Sequence, residues 1–304
     1  VFFDVAHLSY VPGLVGLKNV SEGNTKLQAT YAIAAVAVPA IGGMLLRVIM
    51  APVLIGVNVV TYLLSIVFLR RIKQEELLPP KESHLPLGPA IAEGLRFIVK
   101  TPMLNRLVFS SGVSVLFSTM GWSMLMLYVI KTLGLSETDV GVVLSASAVG
   151  GILGALFARK ISLFVGEGRV IAIAAAASPI LFVGIPLAAF LAPRGVDPMI
   201  PLIVSGFLSQ ITNTLFNVAQ VSFRQRLCPP HLLGRMNASF RFIVWGGMPF
   251  AGLIGGWVAH EFGLVTMLWL VIVRELAAAM PLVFSNFMTT RDLPDNGTLQ
   301  TVDV

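Results

Sequence analysis

Charge is scarce in this chain: Asp, Glu, Lys and Arg make up 12% of its 304 residues, against 56% hydrophobic ones. A soluble domain devotes roughly a quarter of its residues to charge, so an ordinary water-exposed surface is excluded. Cysteine is nearly absent, and the single Cys228 excludes an internal disulfide and a thiolate metal site. The four histidines, His7, His84, His231 and His260, are scattered among different loops and span ends. No Gly-Lys-Ser/Thr phosphate loop, Gly-x-Ser-x-Gly elbow, His-Glu-x-x-His pair or paired acidic cluster occurs. The expectation is a protein that is no enzyme and holds no cofactor and no metal.

What is present is long apolar sequence, with a mean hydropathy of +0.86. A helix needs about 20 apolar residues to cross about 30 Å of hydrocarbon. Windows of that kind fall at 28–48, 51–70, 104–130, 139–159, 169–192, 198–222, 237–259 and 264–288, and residues 1–12 read as the tail of one more. Such windows predict an all-α polytopic membrane protein rather than a barrel, whose strands alternate in about ten-residue pieces.

The net charge of +6 could suggest nucleic acid, but its distribution does not. Numbering the connections alternately leaves Arg47, Lys131 and Arg194 on one side and nearly all other Lys and Arg on the opposite one. That asymmetry puts the basic loops and the C-terminus in the cytoplasm, with the lipid bilayer as partner. It assigns most of these charges a solvated, topology-setting role. Cys228 falls in the same set of loops.

The chain also repeats itself. Phe3-Asp4-Val5-Ala6-His7-Leu8-Ser9 reappears as Phe216-Asn217-Val218-Ala219-Gln220-Val221-Ser222, and at the same offset of 213 residues Asn24 falls on Asn237 and Ile41-Gly42-Gly43 on Ile254-Gly255-Gly256. Two copies of one unit are expected, the first lacking about three helices and most of a fourth. The expected layout is a remainder of the first half over 1–71 and a cytoplasmic linker over 72–103. A six-helix second half over 104–288 and a cytoplasmic tail over 289–304 complete it. Within the linker, Ile91, Leu95 and Ile98 recur at helical spacing and predict one surface-lying amphipathic helix.

Span 198–222 carries Gln210, Asn213, Asn217 and Gln220 on one helical face. Such amides are costly in hydrocarbon unless they meet partners or water, so the stripe predicts either interhelical hydrogen bonding or a cavity wall touching substrate. Span 104–130 offers Ser111, Ser114 and Ser118 on one face with Phe117 and Trp122 nearby, which fits close helix packing or a cavity for a flat, greasy compound. Ionisable residues inside spans are functional candidates. Here they are Asp4, in the truncated span, and Arg274 with Glu275 near mid-bilayer. Adjacent helical residues point about 100° apart, so Arg274 and Glu275 each need a partner on another helix, unless Glu275 titrates as a proton carrier.

Several segments together resemble the major facilitator superfamily, specifically the drug:proton antiporter branch that includes macrolide efflux proteins and the enterobactin exporter. Pro39-Ala-Ile-Gly42-Gly43 is similar to the fifth-helix antiporter motif, with Val38 where that motif has its first glycine. Ala92-Glu93-Gly94-Leu95-Arg96-Phe97-Ile98, followed by Pro102 and Arg106, resembles the approach to the seventh helix. Leu233-Gly234-Arg235-Met236-Asn237-Ala238-Ser239-Phe240-Arg241 is similar to the loop between helices ten and eleven. Gly154-Ala-Leu-Phe-Ala-Arg159-Lys160 with Gly166-Glu-Gly168-Arg169 resembles a degenerate gating motif.

The resemblance implies two six-helix halves that rock about a central site, the superfamily being itself a standard instance of such parallel repeats. It further implies proton-coupled export of small amphipathic compounds across the cell membrane. An importer, a lipid flippase or a transport-inactive partner protein are the alternatives on the same scaffold. In the family's terms Pro39, Gly42 and Gly43 serve bending and half-to-half packing. Arg159, Lys160, Arg169, Arg235 and Arg241 serve cytoplasmic gating.

Overall fold

The computed structural model describes residues 10–46, 51–71 and 87–289. Asp4 with the end of the expected fourth helix, linker residues 72–86 and the tail from 290 lie outside the described residues. Among the described residues the chain is helical throughout, with no strand. Six stretches are long and apolar enough to span a membrane: Pro102–Lys131, Thr138–Val165, Glu167–Arg194, Met199–Leu227, Pro230–Phe262 and Leu264–Val283. They coincide with the six windows read from residue 104 onward. Ahead of them stand α1 (Val20–Leu46) and α2 (Ala51–Arg70), on the windows at 28–48 and 51–70.

The short helix α3 (Leu87–Lys100) lies before the first of the six, α4 (Pro102–Lys131), which opens on a proline where no backbone donor is needed. Next comes α5 (Glu137–Val165), whose start is fixed by a reciprocal cap: Asp139 N–H donates to Ser136 Oγ at 3.3 Å and Ser136 N–H to Asp139 Oδ2 at 2.9 Å. The third span is broken into α6 (Glu167–Phe182) and α7 (Gly184–Leu191). Pro186 has no N–H for the Phe182 carbonyl four residues back, and the chain closes a tighter turn from Val183 N–H to Ile180 at 3.2 Å instead. After α8 (Met199–Leu227), the fifth span is likewise broken into α9 (Leu233–Trp245) and α10 (Met248–Phe262) at Gly246-Gly247-Met248-Pro249. The bundle ends with α11 (Leu264–Val283) and the single turn α12 (Asn286–Thr289). Each broken pair still makes one span, as the windows at 169–192 and 237–259 read.

Helix α8 is the hub, packed against α5, α6, α7 and α1, while α4 packs against α9, α10 and α11. The α5–α8 contact depends on glycine: a Cβ on Gly150 would stand 2.2 Å from the Phe207 carbonyl oxygen, and one on Gly154 2.8 Å from that of Ile211. Small residues permit this backbone approach in a bilayer, where no hydrophobic drive pushes helices together. Helix α3 docks on α9 in the same way, because a Cβ on Gly94 would meet the Arg235 carbonyl oxygen at 2.6 Å. That contact turns α3 away from the expected face: Ile98 is 1% exposed, but Ile91 is 58% and Leu95 42% exposed.

Two dry clusters fill the bundle, one at each end. Leu104 and Leu107 of α4, Ile171 of α6, Phe223 and Leu227 of α8 and Leu282 of α11 share one of them. Met120 and Tyr128 of α4, Ile185 of α7, Leu202 of α8 and Met267 of α11 share the other. Each of these spans changes cluster at mid-depth, and there the polar residues gather. The end holding α3, α12 and the connections at 166 and 228–232 also carries most of the Lys and Arg, and is termed the basic end.

Replacing Gly150 with leucine forces α5 from α8 and should destabilise the protein by about 1–3 kcal/mol, the usual scale of overpacking, seen as a lowered melting midpoint in detergent.

Candidate substrate cavity

The polar layer encloses a chain of adjoining chambers. Two small ones, of about 30 and 40 Å³, are bounded jointly by Ser118 of α4, Ser178 of α6, Asn213 of α8 and Glu275 of α11. A larger one of about 220 Å³ extends from there toward the basic end, past Ser111 and Ser114 to Asn217, Gln220, Arg224, Asn237 and Arg241. Asn213 borders all three. A further recess beside α1 is lined by Gln28, Tyr31, Trp122, Gln210 and Asn213.

The amide stripe of α8 thus faces these spaces along its length. Asn217 donates to Asn213 Oδ1 at 2.7 Å and to its carbonyl at 3.0 Å, a turn-to-turn contact within one helix, while Gln220 Oε1 is buried without a donor. Of the α4 residues, Ser111, Ser114, Ser118 and Trp122 reach the chambers, whereas Phe117 packs in the apolar cluster around Met120 and Leu268. The sequence reading passed over Ser178 and Gly121, which bound the mid-depth chamber with Glu275.

Arg274 and Glu275 were each expected to need a partner on another helix, yet among the described residues neither forms an ion pair. Their 100° separation turns Arg274 to the outside of the bundle and Glu275 to the chambers, which Ser118, Ser178 and Asn213 also line. Pro39, Gly42 and Gly43 lie within α1, which runs unbroken through them.

At the basic end the acidic residues are paired. Arg159 of α5 meets Glu22 of α1 at 3.0 Å, and Lys26, which holds the Glu22 carboxyl below its usual range, meets it at 3.0 Å too. Glu167 pairs with Arg226, and Glu93 of α3 with Arg235. Arg169 Nε donates to the Met288 carbonyl at 3.2 Å, tying α6 to α12, and the Arg241 guanidinium lies 4.1 Å over the Trp245 ring. Lys160 is exposed on the outer surface near Phe157 and Phe164. The strongest link between α1 and α8 is neutral: Asn24 Nδ2 donates to Ser222 Oγ at 3.0 Å and to Gln225 Oε1 at 2.6 Å, all buried.

Arg224, one of the cations of the basic side, is 4% exposed, and Cys228, in the connection that follows α8, is 1% exposed. Helix α8 continues beyond the apolar window that ended at 222 and carries Arg224 onto Phe240 of α9, with Cys228 just past its end in the adjoining apolar cluster. Burial pushes the Cys228 thiol up to about 12, so it stays neutral.

A family model described as a transmembrane secretion effector matches residues 5–296. The chain belongs to that family of the major facilitator superfamily. It is also similar to the crystal structure of a bacterial homologue of the iron transporter ferroportin in its outward-facing state. The identity is 18% and the TM-score 0.69, covering 95% of this chain and 69% of that one. At this identity the likeness is one of fold. No curated protein matches. Family and fold together make this a multi-pass membrane transporter and not an enzyme, with a small-molecule substrate.

Replacing Asn24 with alanine removes the donor shared by Ser222 and Gln225 and should cost about 1–3 kcal/mol of stability. Replacing the half-exposed Arg159 with alanine should leave the melting midpoint nearly unchanged.

Proposed function

We propose that this transporter exports small amphipathic compounds by exchange for protons, in the manner of the drug:proton antiporter branch. The observation that carries the reading is Glu275: a lone carboxylate at mid-depth, facing a chamber wall of Ser118, Ser178 and Asn213 with no cation against it among the described residues. Such a group holds a proton when the chamber is dry and releases it when water enters, which is what coupling to a proton gradient requires. The description of the family as secretion effectors supports the outward direction.

In this reading the bilayer is the cell membrane and the basic end and the C-terminus are cytoplasmic, a sidedness that the charge asymmetry supports. Residues 1–71 belong to one rocking half and 104–288 to the other, joined by the linker 72–103. Asn213 and Asn217 with the serines of α4 form the substrate wall. The Arg159–Glu22 pair and the Asn24 cluster close α1 of the first half on α5 and α8 of the second at the cytoplasmic side. Release of those contacts accompanies inward opening, and Pro39, Gly42 and Gly43 give α1 the shape and clearance to move.

The test is accumulation of a radiolabelled macrolide, ethidium and a labelled catecholate siderophore in everted membrane vesicles. At least one compound should accumulate when the vesicle interior is acid and leak away on adding a protonophore. Glu275→Gln should abolish the gradient-driven part while leaving binding within about threefold, because glutamine keeps the shape but not the proton. Accumulation indifferent to the gradient removes proton antiport, and gradient-driven loss from everted vesicles makes the protein an importer.

A further inference from the structure

Among the described residues the charged side chains bordering the chamber toward the basic end are Arg224 and Arg241, and the remaining polar wall is hydroxyl and amide. Elsewhere at that end Glu22, Glu93 and Glu167 are each taken by another cation, Arg159 and Lys26, Arg235, and Arg226 in turn. Arg224 is therefore a buried guanidinium without a carboxylate among the described residues. Its guanidinium carbon stands 3.6 Å above the centre of the Phe240 ring, and its Nε–H has no acceptor. The Ser111 hydroxyl, on another residue bordering the chamber, is likewise buried and unpartnered.

A ring face offsets only part of what a guanidinium loses on leaving water, and a buried cation persists at reasonable cost only when an anion or several acceptors complete it. Phe240 also holds the group in place, so its fork is fixed before anything binds. Arg224 Nε–H and Ser111 Oγ–H are unused donors on residues bordering a chamber of about 220 Å³, alongside one unused acceptor, Gln220 Oε1, and it is the unanswered positive charge of Arg224 that selects an anion.

We infer that this chamber is a site for the acidic group of an amphipathic ligand, a carboxylate, sulfonate or phosphate held by Arg224 and Ser111, with the apolar body lying toward Trp245 and Phe216. The inference rests on the export reading for its biological use and narrows the substrate class to amphipathic anions. Arg241, over Trp245 at the chamber edge, adds positive potential along the path to the site.

The test uses the full chain purified in dodecyl maltoside, with tritiated 1-naphthoate and its uncharged isostere 1-naphthamide as probes in a scintillation proximity assay. The wild-type protein should bind naphthoate at least tenfold more tightly than naphthamide. Arg224→Gln should weaken naphthoate at least tenfold and leave naphthamide within twofold, while Arg224→Lys restores part of the loss. Equal affinity of the wild type for both probes, no naphthoate binding at all, or naphthoate binding indifferent to Arg224→Gln overturns the site. The wild-type ratio decides even where Arg224→Gln does not fold, and Ser111→Ala, expected to weaken naphthoate severalfold, gives a second handle.

Repeating the measurement in nanodiscs distinguishes two sources of the acidic group. Loss of naphthoate binding when a third of the lipid is phosphatidylglycerol assigns the site to an anionic lipid headgroup, and retention assigns it to a free solute; both support an anion site. Gradient-driven export of an uncharged compound with equal binding of the two probes overturns the anion site and leaves the export reading standing. Naphthoate binding that responds to Arg224 without net flux of any compound does the reverse.

Discussion

Everything here depends on one constraint: inside a bilayer a polar group must be answered by another polar group or by water held in a protein cavity. The chain meets it by concentrating its polarity at one depth. Two dry clusters, around Phe223 and Met236 at one end and around Tyr128 and Met267 at the other, leave a layer between them in which Ser118, Ser178, Asn213 and Glu275 come together. Inside one of these clusters the Tyr128 hydroxyl donates to the Ile185 carbonyl at 2.8 Å. The cavity is therefore the consequence of grouping amides, hydroxyls and one carboxylate rather than burying them singly.

The helix contacts around that layer divide into two chemistries. Helices α5 and α8 are locked by shape, backbone against glycine, which fixes the wall on which Asn213 stands. Helix α1 meets the same pair through side-chain polar contacts, with Asn24 reaching Ser222 and Gln225, and Glu22 reaching Arg159. Directional contacts of this kind break and reform as units, whereas interdigitated backbones do not. The difference suits a molecule in which one group of helices moves against another.

Much of this was legible in the sequence for a plain reason: bilayer thickness sets helix length, so each window from 104 onward lands on a described span. The amide stripe was legible too, since spacings of three and four fix a helical face. The exceptions share a cause. The Ile91 and Leu95 face of α3, the breaks at Val183 and Gly246, and the burial of Arg224 and Cys228 all depend on what a neighbouring helix presents, which periodicity within one segment does not record. Ser178 belongs with them, an isolated serine in an alanine-rich helix that gains meaning only beside Glu275.

The sequence by itself determined that this protein is a helical membrane bundle, because hydropathy is a property of segments taken one at a time. Tertiary structure alone decided which polar residues share a space. Glu275 and Asn213 are 62 residues apart along the chain yet bound the same chamber, and Arg224, one charge among many in a list of loop cations, became the one buried on a phenyl ring. The physical reason is that a charge acts according to the dielectric and partners around it, and both are set by the packing of helices distant in sequence.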